Sequence, residues 1–161
     1  MRVKETPVYK LLKTLLMVPF LLVLSPVILL VLTVYWAFRL VLHALIILTW
    51  LPKGKDTLLV YSQSPIWHDY MTTQILPLVR DRAVVLDWSE RKTWRKYSVP
   101  VPAFRLLGGY RNFNPLVIHF RPLRPALEFR FWTAFKDWKH GDKKAVEQLR
   151  QQLTSVLEDK S

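Results

Sequence analysis

Ser62, Ser64, His68, Asp87 and Ser89 lie around the ends of two short apolar runs. A hydroxyl, an imidazole and a carboxylate within hydrogen-bond reach of one another act as nucleophile, base and orienter. The local sequence lacks the usual setting, because neither Ser64 nor Ser89 stands in a G-x-S-x-G turn. Ser64 precedes Pro65 as a helix N-cap precedes a first-turn proline, and Ser89 admits the same capping role. No catalytic residue is therefore assigned. Ligands gather beyond the carboxyl ends of strands in α/β sheets. Ser62, Ser64, Trp67, His68, Asp87, Ser89 and Arg91 accordingly form a candidate ligand-binding group. A phosphate behind Ser64 would meet helix N–H groups, with Arg91, Lys92, Arg95 and Lys96 adding charge; without a Gly-rich loop a solvated basic face is the preferred reading of those four.

Other chemistry is narrowed by composition. The chain has no cysteine, which removes disulfides, thiol nucleophiles and Cys-ligated zinc. His43, His68, His119 and His140 contain no H-x-x-x-H pair, so no metal site is expected. G-x-G-x-x-G is absent, and no cofactor is expected. With 24 Lys and Arg against 12 Asp and Glu, the net charge is +12. No RNA- or DNA-binding motif accompanies it, so nucleic acid is not the expected partner. Anionic lipid headgroups attract such a surface. Arg39, Lys53, Lys55, Arg121 and Arg124 are the candidate headgroup contacts.

These residues need elements to hold them. TLLVYS (57–62) and AVVL (83–86) read as buried strands, and a helix is expected from Ser64-Pro65 with a kink at Pro77. PAFRLLGG (102–109) reads as a short helix and LVIHF (116–120) as a third strand. LEFRFW (127–132) alternates apolar and polar residues and predicts an antiparallel edge strand. A short helix or turn follows, ending at Gly141. Asp142 then caps a last helix whose apolar face is Val146, Leu149, Leu153, Val156 and Leu157. The order is β-α-β-α-β-β-α over residues 57–159.

Residues 1–52 read differently. Thr14 to Phe38 is 25 residues without a charge, longer than a signal-peptide core and followed by no A-x-A-like site. It is long enough to span a bilayer. Apolar character resumes after Arg39 as LVLHALIILTWL, so 11–51 as one helix would extend about 60 Å, twice a hydrocarbon core of about 30 Å. Two arrangements follow. One is a helical hairpin or re-entrant loop broken near Ser25-Pro26, with both basic flanks and the domain on the cytoplasmic side. The other is a single span ending at Tyr35-Trp36-Arg39, with 40–51 on the surface. The hairpin is the expected one.

The layout of 57–158 resembles the thioredoxin-like fold. Val60-Tyr61-Ser62-Gln63-Ser64 is similar to the strand-to-loop entry of glutaredoxins, and Gln74-Ile75-Leu76-Pro77-Leu78-Val79 to the proline-kinked first helix of thioredoxins. Asn114-Pro115 before a strand resembles that family's cis-proline loop. The family's C-x-x-C is missing: the matching region reads Ser64-Pro65-Ile66-Trp67-His68-Asp69. The resemblance thus implies the fold without disulfide exchange. A half-Rossmann α/β sandwich, with LEFRFW as helix, is the alternative. The functional expectation is a membrane-anchored interaction or scaffold domain binding a protein partner or anionic headgroups. A small membrane-bound enzyme acting on a lipid-linked or phosphorylated substrate is the second reading.

Overall fold

The computed structural model describes residues 7–95, 98–108 and 114–159, with side chains given at 17 and from 24 onward. Lys96 and Gly109, used above, lie outside the described residues, as do Arg2 and Lys4 of the N-terminal basic flank. The chain forms two compact units, Met1–Leu40 and Val41–Ser161.

Helix α1 runs from Pro7 to Thr49. It passes through Ser25–Pro26 without a break, so the hairpin expected there does not form. A proline removes one helix hydrogen bond, but unbroken apolar sequence on both sides leaves the backbone no better partners than its own helix. In the first unit, the side chains from Leu24 to Phe38 are exposed. By length and composition, this helix suffices to cross a membrane. Near the end of that unit, the Arg39 guanidinium lies 5.8 Å from the Tyr35 ring and 5.5 Å from the Trp36 ring, and donates to the Tyr35 hydroxyl at 3.1 Å. An aromatic pair beside one arginine is the composition of an interfacial anchor.

The second unit is mixed α/β. Strands β1 (Thr57–Tyr61), β2 (Ala83–Asp87), β3 (Leu116–Arg121) and β4 (Arg124–Phe129) form one sheet in the order β2-β1-β3-β4. β1 and β2 are parallel, whereas β3 is antiparallel to both β1 and β4. This mixed sheet departs from the parallel one of the half-Rossmann alternative. The Asn114–Pro115 bond leading into β3 is cis.

Side chains alternate across the pleat, and both sheet faces are covered. Leu59 and Val117 pack with Met71, Ile75 and Val79 and with helices α5 (Phe131–Lys139) and α6 (Lys144–Glu158). Leu58, Val60, Leu116, Ile118 and Phe120 pack with α4 (Pro100–Leu107) on the other face. Leu42, Ile46 and Trp50 complete that second core. Their spacing of four residues puts them on one helical stripe, and Trp50 meets Phe120 edge-on at 5.7 Å. The α/β domain thus begins at Val41 and not at 57. The excess length of the apolar segment is also explained, since its last turns belong to the core of the domain.

The segment after β1 also differs from expectation. Ser64 Oγ accepts only a 3.5 Å contact from the Ile66 N–H, and the helix proper starts at His68. α2 (His68–Tyr70) widens into a π-turn (Met71–Ile75) and then α3 (Leu76–Val79). Pro77 has no N–H to give to the preceding turn, and the wider turn absorbs the mismatch. β4 spans Arg124–Phe129, not 127–132. Phe131, Ala134 and Phe135 are buried from α5 at i, i+3, i+4 spacing, so the alternation of Leu127, Phe129 and Phe131 ran across a strand-to-helix junction. Arg130 fixes that junction by donating to Glu128 and, at 2.8 Å, to the Gly108 carbonyl.

Gly108 is close-packed at the end of α4. A Cβ there would collide with the Phe104 carbonyl oxygen and stand 3.0 Å from Leu116 Cδ2. Gly108→Ala is expected to cost about 2 kcal/mol, read as a lower urea midpoint with an unchanged slope.

Candidate functional site

The carboxyl ends of β1 and β2 meet as anticipated, but their polar groups serve one another. The Asp87 carboxylate accepts from the Ser89 N–H at 2.8 Å and from Gln63 Nε2 at 2.7 Å. Ser89 Oγ accepts from the Gln63 N–H at 3.0 Å. Ser62 Oγ accepts from Trp67 Nε1 at 3.2 Å. Asp87 therefore caps the 3-10 turn Trp88–Glu90 and clamps the β1 exit to the β2 exit. Gln63 is the hinge of this clamp and was missed from sequence. Its adjacency to Ser62 and Ser64 was the available signal.

His68 does not join the clamp. Its ring lies 5.8 Å from that of Tyr61, and its Nδ1 is buried without a hydrogen-bond partner among the described residues. Burial pushes the Tyr61 hydroxyl pKa up, and the charges of Asp87 and Glu90 add to the shift, so this phenol stays neutral. No hydrogen bond joins His68 to Ser62, Ser64, Asp87 or Ser89 among the described residues. The nucleophile–base arrangement is not assembled.

Arg91 is held on its own turn. Its guanidinium lies 5.4 Å from the Trp88 ring and donates to the Trp88 carbonyl at 3.3 Å. Trp88 packs edge-on with Trp94 at 5.7 Å and with Phe104 at 5.5 Å, placing this turn over the α4 side of the sheet. Lys92 and Arg95 are exposed.

An aromatic cluster stands at the head of α2. Trp67 meets Trp132 edge-on at 5.4 Å and Phe135 at 5.9 Å, and Tyr70 meets Phe135 at 5.5 Å and Trp138 at 5.3 Å. Trp132 arrives there because its N–H donates to the Pro115 carbonyl at 3.2 Å, joining the start of α5 to the entry of β3. Lys136 Nζ lies 5.4 Å from the Trp132 ring. Beside the cluster in sequence, Ile66 is 48% exposed and Pro65 is exposed with it, flanked by exposed Gln63 and Asp69. Sequence reasoning found Trp67 but put Trp132 on a strand.

A buried polar network lies at the opposite ends of these strands. Asp56, the residue before β1, accepts two hydrogen bonds from Arg82, one of them at 2.9 Å. It also accepts from the Thr57 hydroxyl at 2.9 Å and lies 3.7 Å from His119 Nδ1. Arg82 donates onward to the Leu157 carbonyl at 3.1 Å. Burial pushes the Asp56 pKa up, but hydrogen bonds from Arg82 and Thr57 and the charges of His119 and Arg82 outweigh it, leaving the carboxyl below its ordinary 3.8. His119 is buried and contacts the Thr57 hydroxyl at 3.2 Å, a structural role.

The candidate headgroup residues fall in different places. Arg39 lies beside Tyr35 and Trp36 in the first unit. Lys53 ends a short 3-10 turn, and Lys55 Nζ donates to the Asp81 carbonyl at 3.0 Å. Arg121 and Arg124 flank the β3–β4 turn. The chain matches no protein-family model, no curated protein and no solved structure.

Proposed function

We propose that this chain is a membrane-anchored, thioredoxin-like domain without redox chemistry that holds a protein partner through the head of α2. The thioredoxin-like reading is supported by the order β2-β1-β3-β4, the parallel β1–β2 pair, helices on both faces and a cis X-Pro bond before β3. Membrane anchoring is supported by the exposed apolar run of α1 and by the Tyr35-Trp36-Arg39 cluster. The cytoplasmic side was argued from a hairpin. With α1 unbroken, Arg2, Lys4, Lys10 and Lys13 before the span and Arg39, Lys53 and Lys55 after it give no decisive charge bias.

One observation carries the non-catalytic reading. Ser62, Asp87 and Ser89 are each engaged in a structural hydrogen bond, and none of them is bonded to His68. What the α2 head offers instead is Ile66 beside the Trp67–Trp132 pair, the residue types that dominate protein interfaces. A photo-crosslinking residue at position 66 of the full chain, in its native membranes, is expected to yield one discrete adduct. Trp132→Ala should abolish the adduct while leaving membrane retention intact. A diffuse smear, or an adduct indifferent to Trp132, contradicts the reading.

A further inference from the structure

We propose that the β3–β4 turn is a second membrane contact, in which Leu123 enters the headgroup–acyl boundary of an anionic leaflet and Arg121 and Arg124 bind lipid phosphates. The proposal rests on the membrane-anchored reading above. Leu123 is 99% exposed, and its φ of 57° lies in the left-handed region that bulky L-residues avoid. Water gives a leucine no reason to stand at such a tip, whereas an apolar boundary does.

Charge points the same way. The turn reads Arg-Pro-Leu-Arg-Pro, and Arg121 stands directly opposite Arg124 in the ladder. Like charges in that position repel, and an anionic surface relieves the repulsion for both. Arg121 already spends two donors on the Pro125 carbonyl, at 2.9 and 3.3 Å, which stiffens the tip and leaves its remaining N–H groups for phosphate. Leucine between two arginines is the pairing of an interfacial wedge: the apolar tip sinks and the cationic ends stay at headgroup level.

Connectivity places the turn where it can reach a bilayer. The Arg121 carbonyl contacts His43 Nε2 at 3.3 Å, and His43 is the third residue of the domain. The uncharged run of the anchor ends five residues earlier, at Phe38. The turn is therefore fastened to the point at which the chain enters the domain, and an anchored chain keeps that point near the membrane surface.

The absence of cysteine makes the test direct, since one introduced thiol gives one label. Full-length Leu123→Cys, Leu30→Cys and Gln151→Cys chains carry an environment-sensitive fluorophore. They are reconstituted in vesicles of phosphatidylcholine and phosphatidylglycerol, with and without brominated acyl chains. The label at 123 is expected to shift to the blue and to lose about half its emission to bromine, as insertion of roughly 5–10 Å requires. The label at 151 should be unaffected and that at 30 strongly quenched. Adding Arg121→Glu and Arg124→Glu, or using phosphatidylcholine alone, should return the 123 label to the behaviour of 151. Quenching at 30 but not at 123 overturns the proposal and spares the anchor. No quenching at 30 overturns the anchored reading and this proposal with it. A blue shift at 123 without bromine quenching places a protein surface on the turn and also overturns it.

Discussion

A chain beginning at Thr57, where the sequence places the start of the α/β domain, loses both Asp56 and the helix stripe before it and is expected not to fold. Residues 1–52 look dispensable to a soluble domain, yet Leu42, Ile46 and Trp50 cover the sheet face formed by Leu58, Val60, Ile118 and Phe120. Emptying one large buried site costs about 2–5 kcal/mol. Three emptied together approach the whole net stability of a small domain, about 5–15 kcal/mol. A chain beginning at Val41 keeps all three and should unfold cooperatively in urea. The Thr57 chain should show no cooperative transition. Within the Val41 chain, Ile46→Ala should cost about 3 kcal/mol, whereas Leu48→Ala, at a position 71% exposed, should stay within about 0.5 kcal/mol. Equal effects at 46 and 48 would contradict the assignment of this helix face.

Arg82→Ala should produce the second large loss, about 2–3 kcal/mol, reduced from the value for a fully buried pair because a quarter of the Arg82 side chain is exposed. Its guanidinium joins the Asp56 carboxylate to the Leu157 carbonyl and so ties the starts of β1 and β2 to the end of α6. Removing it strands a largely buried carboxylate. The pH dependence follows from the depressed Asp56 pKa. A carboxyl held below its unfolded value stabilises the domain above that value, and the contribution is lost as pH falls through the folded pKa. The native domain should therefore lose this part of its stability only below the ordinary carboxylate range. In Arg82→Ala burial is left less compensated and the folded Asp56 pKa moves back toward or above its unfolded value, so this acid loss should shrink or reverse, from a lower starting stability. Urea midpoints of both chains from pH 7 to about pH 3 read this directly. Parallel curves would show that Asp56 does not draw its stabilisation from Arg82.

The sequence made some elements plain and concealed others, for identifiable reasons. Thr57–Tyr61 and Ala83–Asp87 were legible because β-branched apolar runs between polar segments leave few alternatives. Asp142 was expected to cap the last helix, but the N-cap is Lys143, without a side-chain bond; Asp142 stands one residue before it and accepts from the Lys144 N–H at 2.8 Å. The division of α1 was not legible, because membrane and protein core demand the same apolar residues; only the spacing of Leu42, Ile46 and Trp50 carried the distinction. Ser25–Pro26 misled because the cost of a proline depends on what the flanking backbone has instead of a helix. At the candidate site, the residue types at the strand ends were found but their partners were not. Gln63 lies one residue from two candidates, yet its bonds go to Asp87 and Ser89, more than twenty positions away, and such pairings are set by strand register. Trp132 was hidden by an alternation that a strand and the start of a helix satisfied equally.

Alkaline carbonate extraction of membranes carrying either the full chain or the chain beginning at Val41 tests the division of this molecule most directly. The full chain should remain with the bilayer pellet, and the Val41 chain should be released folded into the supernatant. Release of the full chain, or retention of the Val41 chain in the pellet, would contradict an anchor that ends before Val41.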